Sequence, residues 1–512
     1  MAEQNQNAAL YFVDRHRKGT RGSKLAFIES GDGGRRLSYR DLADQSDQMA
    51  GLFARHDIRR EDRALMLVHD IIEFPVIFWG ALKAGIIPVP LNTMLNSDTY
   101  SAIFADCRPT ALFISVLMLD QIEQLLAASP DIRAVFVIGG TKSDHLHFQT
   151  ELDQSAPAAP IQAAADECAF WLYSSGSTGA PKGVRHVHSS LQATSDTYGA
   201  QVLGITAQDT IFSAAKMFFA YGLGNAMSFP MSVGATTILL AGRPTPDAIF
   251  SIFTYNKPTI FGGVPTLYAA MLAAHGDDAP DWASTIRLSI SAGEALPADI
   301  GNRWKSLTGS DILDGVGSTE LLHIFLSNAP GDVDYGTSGT AVPGYTLRLA
   351  NDAGHNVKTG DIGELLVNAP SAADGYWNQR AKSRATFAGN WTHTGDKYFQ
   401  RPDGRYIYCG RTDDMFKVSG IWVSPFEVEQ ALITHPSVLE AAVVSARDAD
   451  DLEKPKAFVV LDNTDPGDEL AAKLQAHVKA TVGKWKYPRW IEFVDDLPKT
   501  ATGKIQRFKL RD

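Results

Sequence analysis

Cysteine is scarce in this chain, long apolar runs are missing, and there is no basic excess. The three cysteines among 512 residues, Cys107, Cys168 and Cys409, lie far apart. Such spacing argues against a disulfide framework and a paired-cysteine zinc site. It fits a reducing compartment, so a cytoplasmic location is expected. No apolar stretch approaches the ~18 residues that cross a bilayer. The stretch 74–85, FPVIFWGALKAG, is interrupted by Pro75 and Lys83 and reads as a core helix. The first residues, MAEQNQNAALYFVDRHRKG, are polar and carry no apolar signal segment. A formal net charge of −11 lacks the basic footprint of a general nucleic-acid binder. Neither nucleic acid nor membrane is expected as a partner, while a local basic patch for a phosphorylated ligand is compatible with the composition.

What is present is the make-up of an ordinary globular protein, 45% hydrophobic and 21% charged. At roughly 100–200 residues per domain, the length predicts two to four domains or subdomains. Over the first four fifths, β-rich runs alternate with helical patterns. Strands are predicted at 64–69, 86–90, 111–115, 134–139, 169–175, 235–241, 259–265 and 286–293, and helices at 74–85 and 117–127. Continuous apolar strands separated by helices predict parallel sheets covered on both faces. After about residue 360 glycine and aromatic residues rise, and GDIGELLVNAP and GRYIYCGRTDD read as β-hairpin material. From about Asp414 a compact α+β pattern follows, with helices over 425–434 and 468–482 and strands at 439–445 and 456–462. The expected fold class is α/β. A large N-terminal domain, 1–412, holds mostly parallel sheets of the αβαβα type and a β-rich subdomain at about 330–412. A small α+β domain, 413–512, completes the chain.

The run YSSGSTGAPKGV, 173–184, packs three glycines, four serine or threonine hydroxyls and one lysine into twelve positions. Glycines let backbone N–H groups approach an anion, hydroxyls add donors, and Lys182 adds charge. The run nevertheless misses the phosphate-loop pattern G-x-x-x-x-G-K-[ST]. Counting from Gly176, Lys182 takes the lysine position, but Pro181 stands where the second glycine belongs and Gly183 replaces the magnesium-binding hydroxyl. A flexible glycine–serine loop is the bland alternative. A Pro-Lys-Gly element after a buried-type strand argues against it, and the residues after Gly183 are compatible with entry into a helix. In DGVGSTE, 314–320, a glycine-rich turn offers Thr319 to a phosphate and Glu320 to Mg2+, a cation that often takes only one or two carboxylates. A plain turn before a helix N-terminus is the structural alternative. In WTHTGD, 391–396, Asp396 follows a tight Thr-Gly turn and suits a pair of ribose hydroxyls. Arg411 stands beside two aspartates and also reads as a surface ion pair. In PKTATGKIQR, 498–507, Lys504 follows Thr-Gly and is flanked by Lys499 and Arg507, where a lone lysine is usually a solvated charge.

In this order and spacing, YSSGSTGAPKGV, GSTE, TGD, GRTDDMFKVSG and PKTATGKIQR resemble the adenylate-forming superfamily of acyl-CoA synthetases, nonribosomal-peptide adenylation domains and luciferases. The resemblance covers about residues 25–512. Each motif alone is moderately specific; jointly they are very specific. AAKMFFAYGLGNAM (214–227), FGGVPTLY (261–268), SAGEALP (291–297) and DGVGSTELLHIFLSN (314–328) are similar to benzoate-CoA ligases and related aryl-CoA ligases. Val316 stands where many members have Tyr, so adenine packing on that residue is not carried over. Lys216 replaces the small residue or proline common in relatives.

The resemblance implies a two-step reaction that uses ATP, Mg2+ and coenzyme A on an aromatic carboxylic acid, with benzoate the first choice. It implies that Lys504 bridges the acid carboxylate and the α-phosphate, that Thr319 contacts phosphate and that Glu320 positions Mg2+. The nucleotide would be held by Ser174, Ser175, Gly176, Ser177, Thr178, Gly179, Lys182, Gly293, Glu294, Asp314 and Gly315, with Asp396 and Arg411 on the ribose. The acyl pocket would comprise Phe219 at the aromatic gate, Ala220, Tyr221, Ala292, Gly317, His323 and Ile324. Tyr221 and Ile324 could sandwich a ring, and His323 reads equally as a ring-edge contact or a core histidine. Phe219, Gly420 and Trp422 would line a pantetheine tunnel, and Asp413 would be the hinge of a mobile C-terminal lid. Competing outcomes are a 4-hydroxybenzoate or heteroaryl-acid ligase, a stand-alone domain loading a carrier protein, and a non-catalytic binding protein. Monomer and homodimer are both compatible with the sequence.

Overall fold

The computed structural model describes residues 5–31, 33–140, 144–175, 181–275, 281–418, 421–449, 452–462, 469–499 and 505–511. The chain divides into two compact units, Met1–Thr346 with Val367–Thr392, and Leu347–Leu366 with His393–Asp512. Residue 412 is thus not a boundary between these units, and Asp413 lies inside the second.

Apolar strands with no polar alternation need cover on both faces, and parallel pairing with crossover helices supplies it. The first unit has two such sheets. In one, Ile87–Pro90, Arg63–Leu67, Ala111–Ser115, Ala134–Ile138 and Leu146–His147 are neighbours in that order, all parallel. The other has nine strands. Its centre runs Ile312–Gly317, Leu288–Ala292, Ile260–Gly263, Thr210–Ser213, Thr236–Leu239 and Leu25–Glu29, all parallel. Antiparallel strands close both edges: Arg36–Ser38 at one, Ile324–Ser327 and Thr340–Ala341 at the other.

The strand Cys168–Ser175 departs from the expected parallel scheme. It pairs antiparallel with Pro181–Val187, which in turn pairs with Gly375–Tyr376. The residues after Gly183 therefore form a strand rather than a helix, which begins only at His188. The reason lies in the side chains. Val184 and His186 are buried while Arg185 and Val187 are less so, the alternation of a half-covered strand.

The helix Glu73–Ala84 is buried along nearly its whole length and ends at Gly85, whose φ of 71° provides the left-handed cap. Lys83 on this helix is 0% exposed. Its ammonium donates to Asp14 at 2.7 Å and Asp47 at 2.5 Å, and Arg17 shares Asp47. This network pins the first helices to the core.

In the second unit the strands Gly363–Asn368, Trp391–Gln400 and Tyr406–Arg411 are neighbours in that order. The two glycine-rich segments thus do not pair with each other; both flank Trp391–Gln400. Further on, Val438–Arg447, Glu453–Leu461 and Trp490–Phe493 form a sheet against the helices Pro425–Ile433 and Leu470–Val482. Val428, Leu432, Val443, Val459, Leu474 and Val478 fill the core between them.

Removing Lys83 takes the buried ammonium from two part-buried carboxylates and leaves Arg17 as their remaining cationic neighbour. Lys83→Ala is expected to cost about 1.5–3 kcal/mol, the range for hydrogen bonds to charged groups, and thermal or denaturant unfolding reads it directly.

Candidate active site

Three segments of the first unit converge. The antiparallel pair 168–175 and 181–187 sets Ser174 opposite Lys182. Gly176, Ser177, Thr178 and Gly179 lie outside the described residues, as does the side chain of Ser175. Ser174 Oγ is buried and has no partner among the described residues. Lys182 Nζ lies 3.6 Å from Glu320 Oε1 and 4.7 Å above the ring of Tyr376. The Tyr376 hydroxyl donates to the same Glu320 oxygen at 2.8 Å. Tyr376 is paired with Val184 across the third strand, so the hairpin that carries Lys182 also places it. Tyr376 belongs to none of the recognised motifs, so motif reading missed it.

Glu320 sits on a short 3-10 turn, Thr319–Leu321, not at the start of a helix. The strand before it extends to Gly317, so Asp314 and Gly315 are strand residues rather than turn residues. The turn is held through its backbone. His186 Nε2 donates to the Thr319 carbonyl at 2.9 Å, the Ala373 N–H to the Glu320 carbonyl at 2.8 Å, and Ser371 Oγ to the Leu321 carbonyl at 2.8 Å. Burial lowers His186 to about 4, so it is neutral when it makes this bond. Leu322 follows with φ 66° and ψ −37°, a conformation rare for a branched side chain.

Beyond Leu322 the chain supplies His323 and Ile324, both buried. His323 Nε2 lies 3.2 Å from the Tyr221 carbonyl. Burial lowers His323 to about 3. A neutral ring beside a carbonyl carries its proton on Nε2, and Nδ1 is left without a partner among the described residues. The imidazole packs edge-on to Phe229 at 4.5 Å, and against Tyr198 at 5.4 Å and Tyr221 at 5.7 Å. The Tyr221 hydroxyl lies 3.1 Å from the carbonyls of both Gly263 and Ile290, which ties the ring to two adjacent strands. Phe219 and Ala220 are half-buried at the start of the helix that carries Tyr221. Two glycines leave the room needed. A Cβ on Gly315 would come within 2.8 Å of Ile324 Cδ1, and one on Gly317 within 2.7 Å of the His323 carbonyl oxygen.

Ala292 and Gly315 are cross-strand partners at the ends of parallel strands, where α/β sheets usually bind ligands. Gly293, with φ 99°, and Glu294 follow directly. Asp314 is buried, its Oδ2 accepts the Leu296 N–H at 3.4 Å, and its Oδ1 is unpartnered among the described residues. Burial pushes its carboxyl up to about 8.

In the second unit Asp396 and Arg411 are paired across antiparallel strands. Arg411 Nη1 donates to Asp396 Oδ1 at 2.9 Å and to the Thr394 carbonyl at 3.0 Å. Asp396 is therefore inside a strand, with Gly395 at φ 71° bending it, rather than after a tight turn. A Cβ on Gly395 would come within 2.8 Å of the Arg411 guanidinium. Asp414, next to Asp413, pairs with Arg507 and Arg511 instead. Gly420, Lys504 and the side chain of Trp422 lie outside the described residues.

The AMP-binding enzyme family matches residues 13–377, and the AMP-binding enzyme C-terminal domain matches 427–504. The chain belongs to this family of adenylate-forming enzymes. It is 50% identical to a 4-hydroxybenzoate–CoA/benzoate–CoA ligase of Rhodopseudomonas palustris, over 100% of this chain and 95% of that protein. It is 49% identical to a benzoate–CoA ligase of Thauera aromatica, over 99% of this chain and 95% of that one. A crystal structure of a benzoate CoA ligase from Burkholderia xenovorans LB400 superposes with a TM-score of 0.89 at 46% identity, covering 99% of this chain and 100% of that one.

Two outcomes follow from the geometry. Tyr376→Phe removes a neutral donor to a carboxylate, a bond worth about 1.5–3 kcal/mol. Acid-dependent exchange of pyrophosphate into ATP is expected to fall by about 10- to 100-fold. For Asp314 the folded pKa lies above the unfolded carboxylate range, so the native state keeps a proton that the unfolded chain loses. Native stability therefore declines as pH rises from about 4 to about 8. Asp314→Asn, which does not titrate, is expected to gain stability relative to the parent across that window, read as thermal midpoints over a pH series.

Proposed function

We propose that this AMP-forming aryl-CoA ligase prefers benzoate. In the first step the acid carboxylate attacks the α-phosphorus of ATP and pyrophosphate leaves, giving benzoyl-AMP. In the second the coenzyme A thiol attacks the acyl carbonyl and AMP leaves. The demand in the first step is to align two anions and to offset charge. Lys182 and the 174–183 hairpin would hold the β- and γ-phosphates, Thr319 a phosphate oxygen, and Lys504 the carboxylate and α-phosphate. Asp314, Gly315, Gly293 and Glu294 would surround the base, and Asp396 and Arg411 the ribose.

Glu320 fits Mg2+, since it offers one hard carboxylate beside the phosphate hairpin and this cation takes its other ligands from phosphates and water. When bound, the ion would offset charge on the phosphate oxygens. Tyr376 would orient the carboxylate that holds it.

The observation that supports benzoate is the anchoring of Tyr221 by its hydroxyl and by His323, which would make its ring one rigid wall of an apolar slot. Ala292, Gly317 and Ile324 would keep it narrow, and Phe219 and Ala220 would stand at its entrance. An offset or edge contact to a substrate ring adds about 0.5–1.5 kcal/mol beyond burial. In the second step Phe219, Gly420 and Trp422 would line the path of the pantetheine, and rotation of a lid about Asp413 would exchange one site for the other. The unpartnered Nδ1 of His323 favours a second reading, an acid whose ring hydroxyl it could accept.

A panel of benzoate, the three hydroxybenzoates, aminobenzoate and heteroaryl acids, scored by coenzyme A-dependent AMP release, separates the two. Benzoate is expected to give the highest kcat/KM. A hydroxybenzoate ahead of it would favour the second reading, and activity confined to aliphatic acids would refute both.

A further inference from the structure

Lys216 was left unassigned by the motifs, and the structure gives it an unusual set of partners. The segment 214–219 connects the strand Thr210–Ser213 to the helix Ala220–Leu223, which carries Tyr221. Its backbone is bonded at each step. The Ala214 N–H donates to the Gly262 carbonyl at 2.8 Å, Ser213 Oγ to the Ala215 carbonyl at 3.0 Å, and the Phe219 N–H to the Lys216 carbonyl at 3.0 Å. The Lys216 ammonium leaves this turn and donates to the carbonyls of Leu240 and Gly242, the latter at 2.7 Å. Those residues follow the strand Thr236–Leu239, the neighbour of Thr210–Ser213 in the sheet. From another side the buried carboxylate of Asp70 accepts the Met217 N–H at 3.2 Å.

Gly222 closes the arrangement. A Cβ there would come within 2.0 Å of the Lys216 carbonyl oxygen, so the first helical turn lies directly on the lysine backbone. Backbone carbonyls after one strand and the Asp70 side chain from another segment thus hold two consecutive residues, 216 and 217. Phe219 comes two residues later and is half-buried, in edge contact with Phe218 at 4.6 Å.

We propose that Lys216 is a positioning residue for Phe219: with Asp70 it fixes the turn that sets where the aromatic ring stands at the acid and thiol entrance. Tyr221 has its own anchors in Gly263, Ile290 and His323, so loosening the turn displaces Phe219 rather than the inner wall. The residues proposed above to hold ATP lie on other segments. A lysine used only to staple the strand ends would instead affect all substrates together. The role assigned to Phe219 rests on the aryl-CoA ligase reading above; the clamp itself does not.

Lys216→Met keeps the stem and removes the donors. Charge-assisted hydrogen bonds of this kind make a loss of about tenfold readable. The parent, Lys216→Met, Phe219→Ala and the double variant are compared for kcat and KM with benzoate, ATP and coenzyme A. The expected result is about a tenfold loss in kcat/KM for acid or thiol with the ATP KM within about twofold, a loss that disappears in the Phe219→Ala background. Lys216→Arg, which retains donors to both carbonyls, is expected to recover most of it. Additive losses in the double variant, or an equal rise in all three KM values, would overturn the proposal. Hydrogen exchange of the peptide spanning 214–223 reads the clamp without catalysis. It is expected to quicken in Lys216→Met and in Asp70→Ala, and unchanged exchange in both would overturn the clamp even if the enzyme proved to use another acid.

Discussion

The carboxylate of Glu320, held by the Tyr376 hydroxyl beside the Lys182 ammonium, is the contact on which the site depends. Its three members come from a hairpin, a 3-10 turn and a short strand. The parallel sheets do not bring them together. A small antiparallel sheet does, by pairing 168–175 with 181–187 and 181–187 with Gly375–Tyr376. The His186 imidazole, donating to the Thr319 carbonyl, then stitches the Glu320 turn to that sheet, and the Ala373 N–H holds the Glu320 carbonyl. The same strand that carries Lys182 therefore positions both partners of the carboxylate. An ammonium and a carboxylate this close hold each other until a more highly charged ligand arrives, which suits a site built for phosphates and a cation.

Leu322 joins this site to the aryl slot. A left-handed leucine costs on the order of 1–3 kcal/mol, and it persists only where its surroundings demand it. Here Leu322 is buried and the carbonyl before it is held by Ser371. The reversal lets Glu320 face the hairpin while His323 and Ile324, two and three residues past the turn, pack by Tyr221 and Gly315. One sharp bend thus sets the separation between the carboxylate proposed to serve the phosphates and the side chains proposed to serve the acid.

The parallel strands were legible because unbroken runs such as ALFIS and AVFVI have no polar face to turn outward, and 111–115 falls where it was expected. The hairpin was not, since a glycine-rich loop after a buried strand looks the same whether a helix or a strand follows. Only the alternating burial of Val184 and His186 distinguishes them, and burial is a tertiary property. Asp396 was assigned to a turn because Thr-Gly marks one; the glycine instead bends a strand so that Asp396 meets Arg411. Tyr376 was invisible, as its partner Glu320 lies over fifty positions earlier and no local pattern links them. Motif order drew attention to Lys182 and Glu320, which the fold places 3.6 Å apart, but not to Tyr376, because orientation comes from long-range pairing.

The most direct test of the account is a single turnover without coenzyme A. Purified enzyme, ATP, Mg2+ and benzoate are mixed, and the quenched products are separated. The account predicts stoichiometric benzoyl-AMP and pyrophosphate, discharged to benzoyl-CoA and AMP when coenzyme A is added. ADP and phosphate in place of pyrophosphate, or no acid-dependent product from any aryl acid, would contradict it.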